Sequence, residues 1–382
     1  MATNNPILEI EQDFGQSIWM DNLSRDLMTT GSLAKSIEAG VLGITSNPAI
    51  FEKAIVGNAV YDQDIEAGVR ARKSLEEIYE SLVFTDIQLA ADVLKPVYEK
   101  TKGVDGYVSV EVPPTISDDT AKTIAEAFRY FEVIDRPNVM IKIPGTPAGL
   151  PAVEQVIAAG INVNVTLLFS VQSYIDTAWA YIRGLEARVA KGEDISNISS
   201  VASFFLSRID SNIDARLEKA AVATSDVTLQ AKLRGLKGKA AIANAKIAYQ
   251  EYKQIIQSDR WQALAAKGAR VQRLLWASTG TKDPAYSDVM YVDGLIGNDT
   301  VNTLPPQTIT ACADHCDPAS RIESNVAEAR TMIATLADSD VGINVDAVMA
   351  ELLADGIEKF VQPFGTLMAS LQGKIDALAA VR

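Results

Sequence analysis

The sequence predicts an α/β protein, a (β/α)8 barrel with additional helices that include an insertion between strands 6 and 7 and a C-terminal helix. Three observations predict it. Short runs rich in β-branched residues alternate with longer segments of helical periodicity along the whole 382-residue chain. The runs number about eight, the count that closes a small parallel barrel. Several of them alternate polar with apolar residues, as a strand does when one face lines an interior and the other meets helices.

The expected strands, in order, are Ser17–Asp21, Gly43–Ser46, Tyr107–Val112, Val139–Ile143, Asn162–Leu167, Val201–Phe205, Arg273–Ala277 and Thr300–Leu304. Between them Leu33–Ala39, Asp118–Phe131, Gly149–Ala159, Val171–Lys191 and Ile213–Ala220 carry the apolar spacing of amphipathic helices. The stretch Asp210–Ala269 is too long for one crossover, and its Ala, Leu, Lys and Gln content predicts two or three added helices. After the last strand, Val348–Phe360 and Phe364–Ala379 read as two helices parted at Pro363. No Pro-, Gly- or Ser-rich linker and no internal repeat divides the chain, so residues 1–382 are read as a single domain.

With 48% hydrophobic and 22% charged residues the composition is globular. No apolar run approaches the ~18 residues that would span a bilayer. The first residues, followed by Glu9, Glu11 and Asp13, lack the basic start and apolar core of a secretory signal, which leads to an expectation of a cytoplasmic protein. Two cysteines, Cys312 and Cys316, are too few for a disulfide framework. Together with His315 they lack a second ligand cluster, so no metal and no cofactor is expected. A net charge of −14 excludes nucleic acid and anionic membranes as partners of the molecule as a whole. The basic segment Lys232–Lys239 is read as a solvated helix face. Nothing in the sequence sets the oligomeric state, and a homodimer is compatible with it.

Strand parity locates the chemistry. Val108, Val110 and Val112 alternate with Ser109 and Glu111, and Val163, Val165 and Leu167 alternate with Asn162, Asn164 and Thr166. In the fourth strand Val139, Ile141 and Ile143 share one face, which puts Met140 and Lys142 on the other, just before Pro144. Lys142 therefore points into a barrel near its C-terminal rim, where barrel active sites lie. The same rim would receive Asp21, Asn47, Glu111, Thr166 and Ser203. A lysine amine can attack a ketone, and the iminium it forms is an electron sink for breaking the adjacent carbon–carbon bond while carboxylates move protons. From parity alone a buried ion network of Lys142 with Glu111 and Asp21 is an equally available reading.

Five segments carry a family resemblance: Ile18–Leu23 (IWMDNL), Gly43–Phe51 (GITSNPAIF), Asn138–Thr146 (NVMIKIPGT), Ile161–Ser170 (INVNVTLLFS) and Val201–Asp210 (VASFFLSRID). In this order and spacing the chain resembles transaldolase, in its longer bacterial form, over nearly its whole length. The resemblance implies a TIM barrel in which Lys142 forms a Schiff base, Glu111 and Thr166 position a proton-relaying water, and Asp21 is acid/base in carbon–carbon cleavage. It further implies that Asn47, Asn164 and Ser203 hold a dihydroxyacetone unit, and that the substrates are sugar phosphates. Phe205 matches transaldolases, where the related fructose 6-phosphate aldolases more often carry tyrosine. Arg208 is the implied phosphate contact, with Ser278 and the amides around Gly280 assisting. Shorter family members place an arginine just after the seventh strand, where this chain offers Lys282, a point charge without the bidentate fork.

Overall fold

The computed structural model describes residues 5–380. Residues 1–4, on which the reading of the N-terminus partly rests, lie outside the described residues. Eight parallel strands, β1 (Gln16–Asp21), β2 (Val41–Thr45), β3 (Val108–Glu111), β4 (Val139–Pro144), β5 (Val163–Leu168), β6 (Ser200–Phe205), β7 (Arg273–Ala277) and β8 (Thr300–Leu304), close in sequence order into a TIM barrel. Closure is made by β1 and β8, with Gln16 opposite Thr300 and Met20 opposite Leu304. All eight expected strands are present, and their ends differ from the expectation by two residues at most.

The barrel interior is stratified. At its floor the Arg273 guanidinium pairs with Asp105 at 3.0 Å and donates to Ser17 Oγ at 2.8 Å, while Trp19 Nε1 donates to Asp105 at 2.8 Å. Trp19 fits because its neighbour on β2 is Gly43: a Cβ there would come within 2.6 Å of the indole. Above this plug Ser203 donates to Asn164 Oδ1 at 2.7 Å, and Asn164 Nδ2 donates to Ser109 Oγ at 3.0 Å, so inward polar groups of three strands satisfy one another. Outward-facing Val110, Ile141, Val165 and Phe204 are buried under the helices.

Helices Val227–Gly235, Ala240–Ile256 and Asp259–Ala265 form the insertion between β6 and β7, three in number as the upper expectation has it. They are tied to the barrel through Asp210, which accepts from the Ala241 amide and the Tyr291 hydroxyl, each at 2.8 Å. The basic segment is ion-paired more than freely solvated: Lys232 reaches Asp340 at 2.8 Å, and Arg234 and Lys237 reach Glu218 at 3.2 Å.

Two departures concern helices. The β2–β3 crossover holds Pro48–Ile55, Asp62–Arg70 and the long Leu75–Lys100, none of which periodicity marks. Leu75–Lys100 is buried on several sides, from Ile78 and Tyr79 to Leu94 and Val97, which blurs a single apolar stripe. Its start was nonetheless written locally: Glu77 N donates to Ser74 Oγ at 3.2 Å and Ser74 N to Glu77 Oε2 at 2.7 Å, a capping box. The second departure corrects the break at Pro363, because the C-terminal helix runs unbroken from Val345 to Ala380. Proline removes one backbone donor there, but Phe360 before it and Leu367 after it are both buried, so tertiary packing holds the two halves in one rod. No helix among the described residues is long and apolar enough to cross a membrane.

Candidate active site

At the C-terminal ends of the strands a cavity of about 1160 Å³ opens to the surface, and Asp21, Lys142 and Ser203 form part of its floor. Lys142 is buried and projects inward from β4, as parity requires. Its Nζ donates to the Ser46 carbonyl at 3.0 Å and stands 3.9 Å from Glu111 Oε2. Register explains the meeting, since Glu111 on β3 lies directly opposite Lys142, and Asn164 lies opposite it on β5.

The pairing is not the tight ion network that parity alone leaves open. A buried pair that offsets its own desolvation approaches to about 2.8 Å with its lone pairs satisfied. Here both Glu111 carboxylate oxygens are buried without a protein hydrogen-bond partner, and so is Thr166 Oγ1. Buried polar atoms without protein partners call for water or ligand. Burial pushes the Glu111 carboxyl up to about 7, against the opposing pull of Lys142 and Arg208. Burial likewise raises the Asp21 carboxyl, opposed by Lys142 and by Thr45, whose hydroxyl donates to Asp21 Oδ1 at 2.7 Å. The site thus holds an amine beside two carboxyls whose protons are held more tightly than usual.

Of the other expected residues, Asn47 lines the cavity and also caps the helix Pro48–Ile55, accepting from the Ile50 amide at 3.0 Å. Ser203 lines the cavity directly. Asn164, Glu111 and Thr166 lie behind that lining, with Asn164 orienting the Ser203 hydroxyl. Arg208, in the first turn of Ser207–Ala223, reaches the cavity with its guanidinium 5.1 Å from the Phe205 ring. Its Nη1 is buried without a partner, and desolvation lowers its pKa, partly opposed by Asp355, Asp21 and Glu111. Ser278 holds a left-handed φ of 56°, fixed by Ser207, whose amide donates to the Ser278 carbonyl at 2.9 Å. Lys282 is exposed at the mouth. All ten expected residues gather at this one end of the barrel.

Sequence reasoning missed one wall. Leu352, Asp355, Lys359 and Phe360 of the C-terminal helix line the cavity, as does Lys53. An amphipathic helix gives no local sign of which surface its apolar face will cover, so no sequence signal marks them. Cys312 and Cys316 are buried free thiols, and His315 is exposed between Asp288 at 2.8 Å and Asp314 at 3.0 Å. Among the described residues no group of three or more His, Cys, Asp or Glu side chains could hold a metal ion.

Comparison with known proteins adds to this geometry. A family model described as Transaldolase/Fructose-6-phosphate aldolase matches residues 18–371. The chain is 68% identical over 383 residues to "Transaldolase 2" of Nostoc sp. and 65% identical over 382 residues to "Transaldolase" of Trichodesmium erythraeum, each match covering 100% of both chains. It is 46% identical to "Transaldolase" of Thiobacillus denitrificans over 358 residues, 94% of this chain and 97% of that one.

Proposed function

The chain belongs to the transaldolase family, and on that premise we propose that it transfers a dihydroxyacetone unit from sedoheptulose 7-phosphate to glyceraldehyde 3-phosphate, giving erythrose 4-phosphate and fructose 6-phosphate. The reaction would serve the non-oxidative pentose phosphate pathway in the cytoplasm.

The observation that carries this reading is Lys142, buried at the rim and only loosely paired with a Glu111 whose oxygens lack protein partners. In the proposed reaction the Lys142 amine adds to the ketose C2 carbonyl, and loss of water gives the iminium. Asp21 takes the proton of the C4 hydroxyl as the C3–C4 bond breaks. The aldose phosphate leaves, and the bonding electrons pass into the iminium to form an enamine. The acceptor aldehyde then takes the enamine carbon as Asp21 returns its proton, and water releases the new ketose from Lys142. Glu111 and Thr166 hold the water that relays protons during formation and hydrolysis of the iminium. Asn47 and Ser203, the latter oriented by Asn164, hold the hydroxyls of the three-carbon unit. Arg208, Lys282 and Ser278 meet the phosphate.

Borohydride reduction in the presence of fructose 6-phosphate, followed by peptide mass mapping, tests the proposal. A reduced three-carbon adduct on Lys142 is expected. An unlabelled Lys142 under conditions where the sugar phosphate demonstrably binds would overturn it. Turnover with and without an acceptor aldehyde separates transfer from the release of free dihydroxyacetone that an aldolase would give.

A further inference from the structure

The C-terminal helix crosses the mouth of the cavity with one particular face down. Leu352, Gly356 and Phe360 recur every fourth residue and so lie along one line of the helix. Leu352 and Phe360 are 4% and 3% exposed, and both line the cavity. Between them, a Cβ on Gly356 would come within 2.9 Å of Leu167 Cδ2 and 3.6 Å of Arg208 Nη1. The missing side chain therefore lets the helix settle onto the end of β5. One turn later the Phe360 ring centroid lies 5.9 Å from Lys142 Nζ and 5.9 Å from the Arg208 guanidinium carbon. A further turn on, Phe364 meets Tyr79 edge to face at 5.4 Å. The helix is tied down by an ion pair of Glu351 with Arg216 and by Lys374 to Asp62 at 2.6 Å.

We propose that Phe360 is a positioning residue that walls the space between Lys142 and Arg208 and so decides whether Lys142-bound dihydroxyacetone passes to an aldehyde or is lost to water. This rests on the Schiff-base reading above. After the first aldose leaves, the enamine on Lys142 has two fates. Addition to an aldehyde completes transfer. Protonation of the enamine carbon instead regenerates an iminium, water adds at C2, and the carbinolamine expels the lysine amine with a proton, freeing dihydroxyacetone. Water reaches C2 in both routes, to free the new ketose in one and dihydroxyacetone in the other. The second route alone needs a proton at the enamine carbon before an aldehyde arrives, and water admitted beside that carbon supplies it. Asp21, Asn47 and Ser203 make one side of the cavity polar, whereas Phe205, Leu352 and Phe360 present carbon surface that offers water no hydrogen bond. Because the ring lies 5.9 Å from both the nucleophile and the arginine, it also borders the path along which a sugar phosphate would extend between them.

The test gives wild type, Phe360→Ala and Phe360→Leu fructose 6-phosphate with and without erythrose 4-phosphate, and quantifies free dihydroxyacetone against sedoheptulose 7-phosphate. Loss of a water-excluding contact is expected to raise the ratio of release to transfer about tenfold in Phe360→Ala, with Phe360→Leu between it and wild type. A purely structural role would lower both products together and leave the ratio unmoved. A ratio in Phe360→Ala unchanged from wild type, in protein that melts normally, overturns the proposal; if that variant does not fold, an unchanged ratio in Phe360→Leu overturns it equally. Borohydride labelling of wild type is run alongside. No label on Lys142 removes the Schiff-base reading and this inference with it, whereas a label with an unchanged ratio removes the Phe360 role alone.

Discussion

At Glu111 burial and proton affinity are one fact seen twice. Its carboxyl moves from 4.5 to about 7 because both oxygens sit away from solvent and Lys142 is too distant to compensate. A carboxyl raised in the fold binds its proton more tightly folded than unfolded. Stability contributed by this group is therefore intact below pH 4.5, falls as pH rises, and is fully lost above about 7. Glu111→Gln removes that loss, so it is expected to melt above wild type at pH 8 and with it at pH 4. The margin at pH 8 is at most ~3 kcal/mol, reduced by the lost counter-charge for Lys142. The same substitution is expected to slow transfer by about 10²-fold or more and to flatten the acid limb of the rate profile near neutrality, read from kcat/KM between pH 5 and 9. Strand parity alone placed Glu111 and Lys142 inside the barrel. The shift in the carboxyl could not be read from it, because it depends on every group packed around the pair.

Among elements, the strands were the most legible, since a period of two is hard to counterfeit and their short runs are bounded by turns. Gly43 shows what that pattern omits. It looks like a weak point in β2, yet it makes room for Trp19 on β1. Gly43→Ala is expected to destabilise the barrel by about 1–3 kcal/mol, measured as a shift in the denaturant midpoint with an unchanged slope. A midpoint equal to wild type would mean that the indole moves aside freely. Helices were less legible where they are buried on several sides, as in Leu75–Lys100, or carry a proline, as in Val345–Ala380. In both, packing from two directions outweighs the local rule that periodicity and proline supply.

Across the whole molecule the two ends of the barrel do different work. The floor carries a polar plug in which Arg273, Asp105, Ser17 and Trp19 satisfy one another, with one side-chain oxygen each of Gln16, Asn138 and Gln272 left unpartnered at the same strand ends, while at the rim the unpartnered atoms belong to Glu111, Thr166 and Arg208 around the cavity. Arg273→Ala would strand a buried Asp105, and a loss of about 3–5 kcal/mol is expected in equilibrium unfolding. Borohydride trapping of the fructose 6-phosphate adduct on Lys142 in that variant at low temperature is expected to match wild type, since the plug lies at the opposite end from the amine. A barrel divides its labour in this way because the strand ends at the rim meet loops that can vary, whereas the floor must seal.

The sequence by itself determined the eight strands, the inward faces of five of them, the lysine at the rim and, through five local segments, the family. Each of these is written in nearest neighbours: alternation, turn residues and contiguous motifs. The tertiary structure alone decided which helix closes the mouth, that Leu352, Asp355, Lys359 and Phe360 share a cavity with Lys142 and Arg208, and how far burial lifts Glu111. The first two join residues more than 100 positions apart, the third joins Glu111 to Lys142, Arg208 and Asp21 on separate elements, and an apolar stripe on a helix records that it will be buried but not against what.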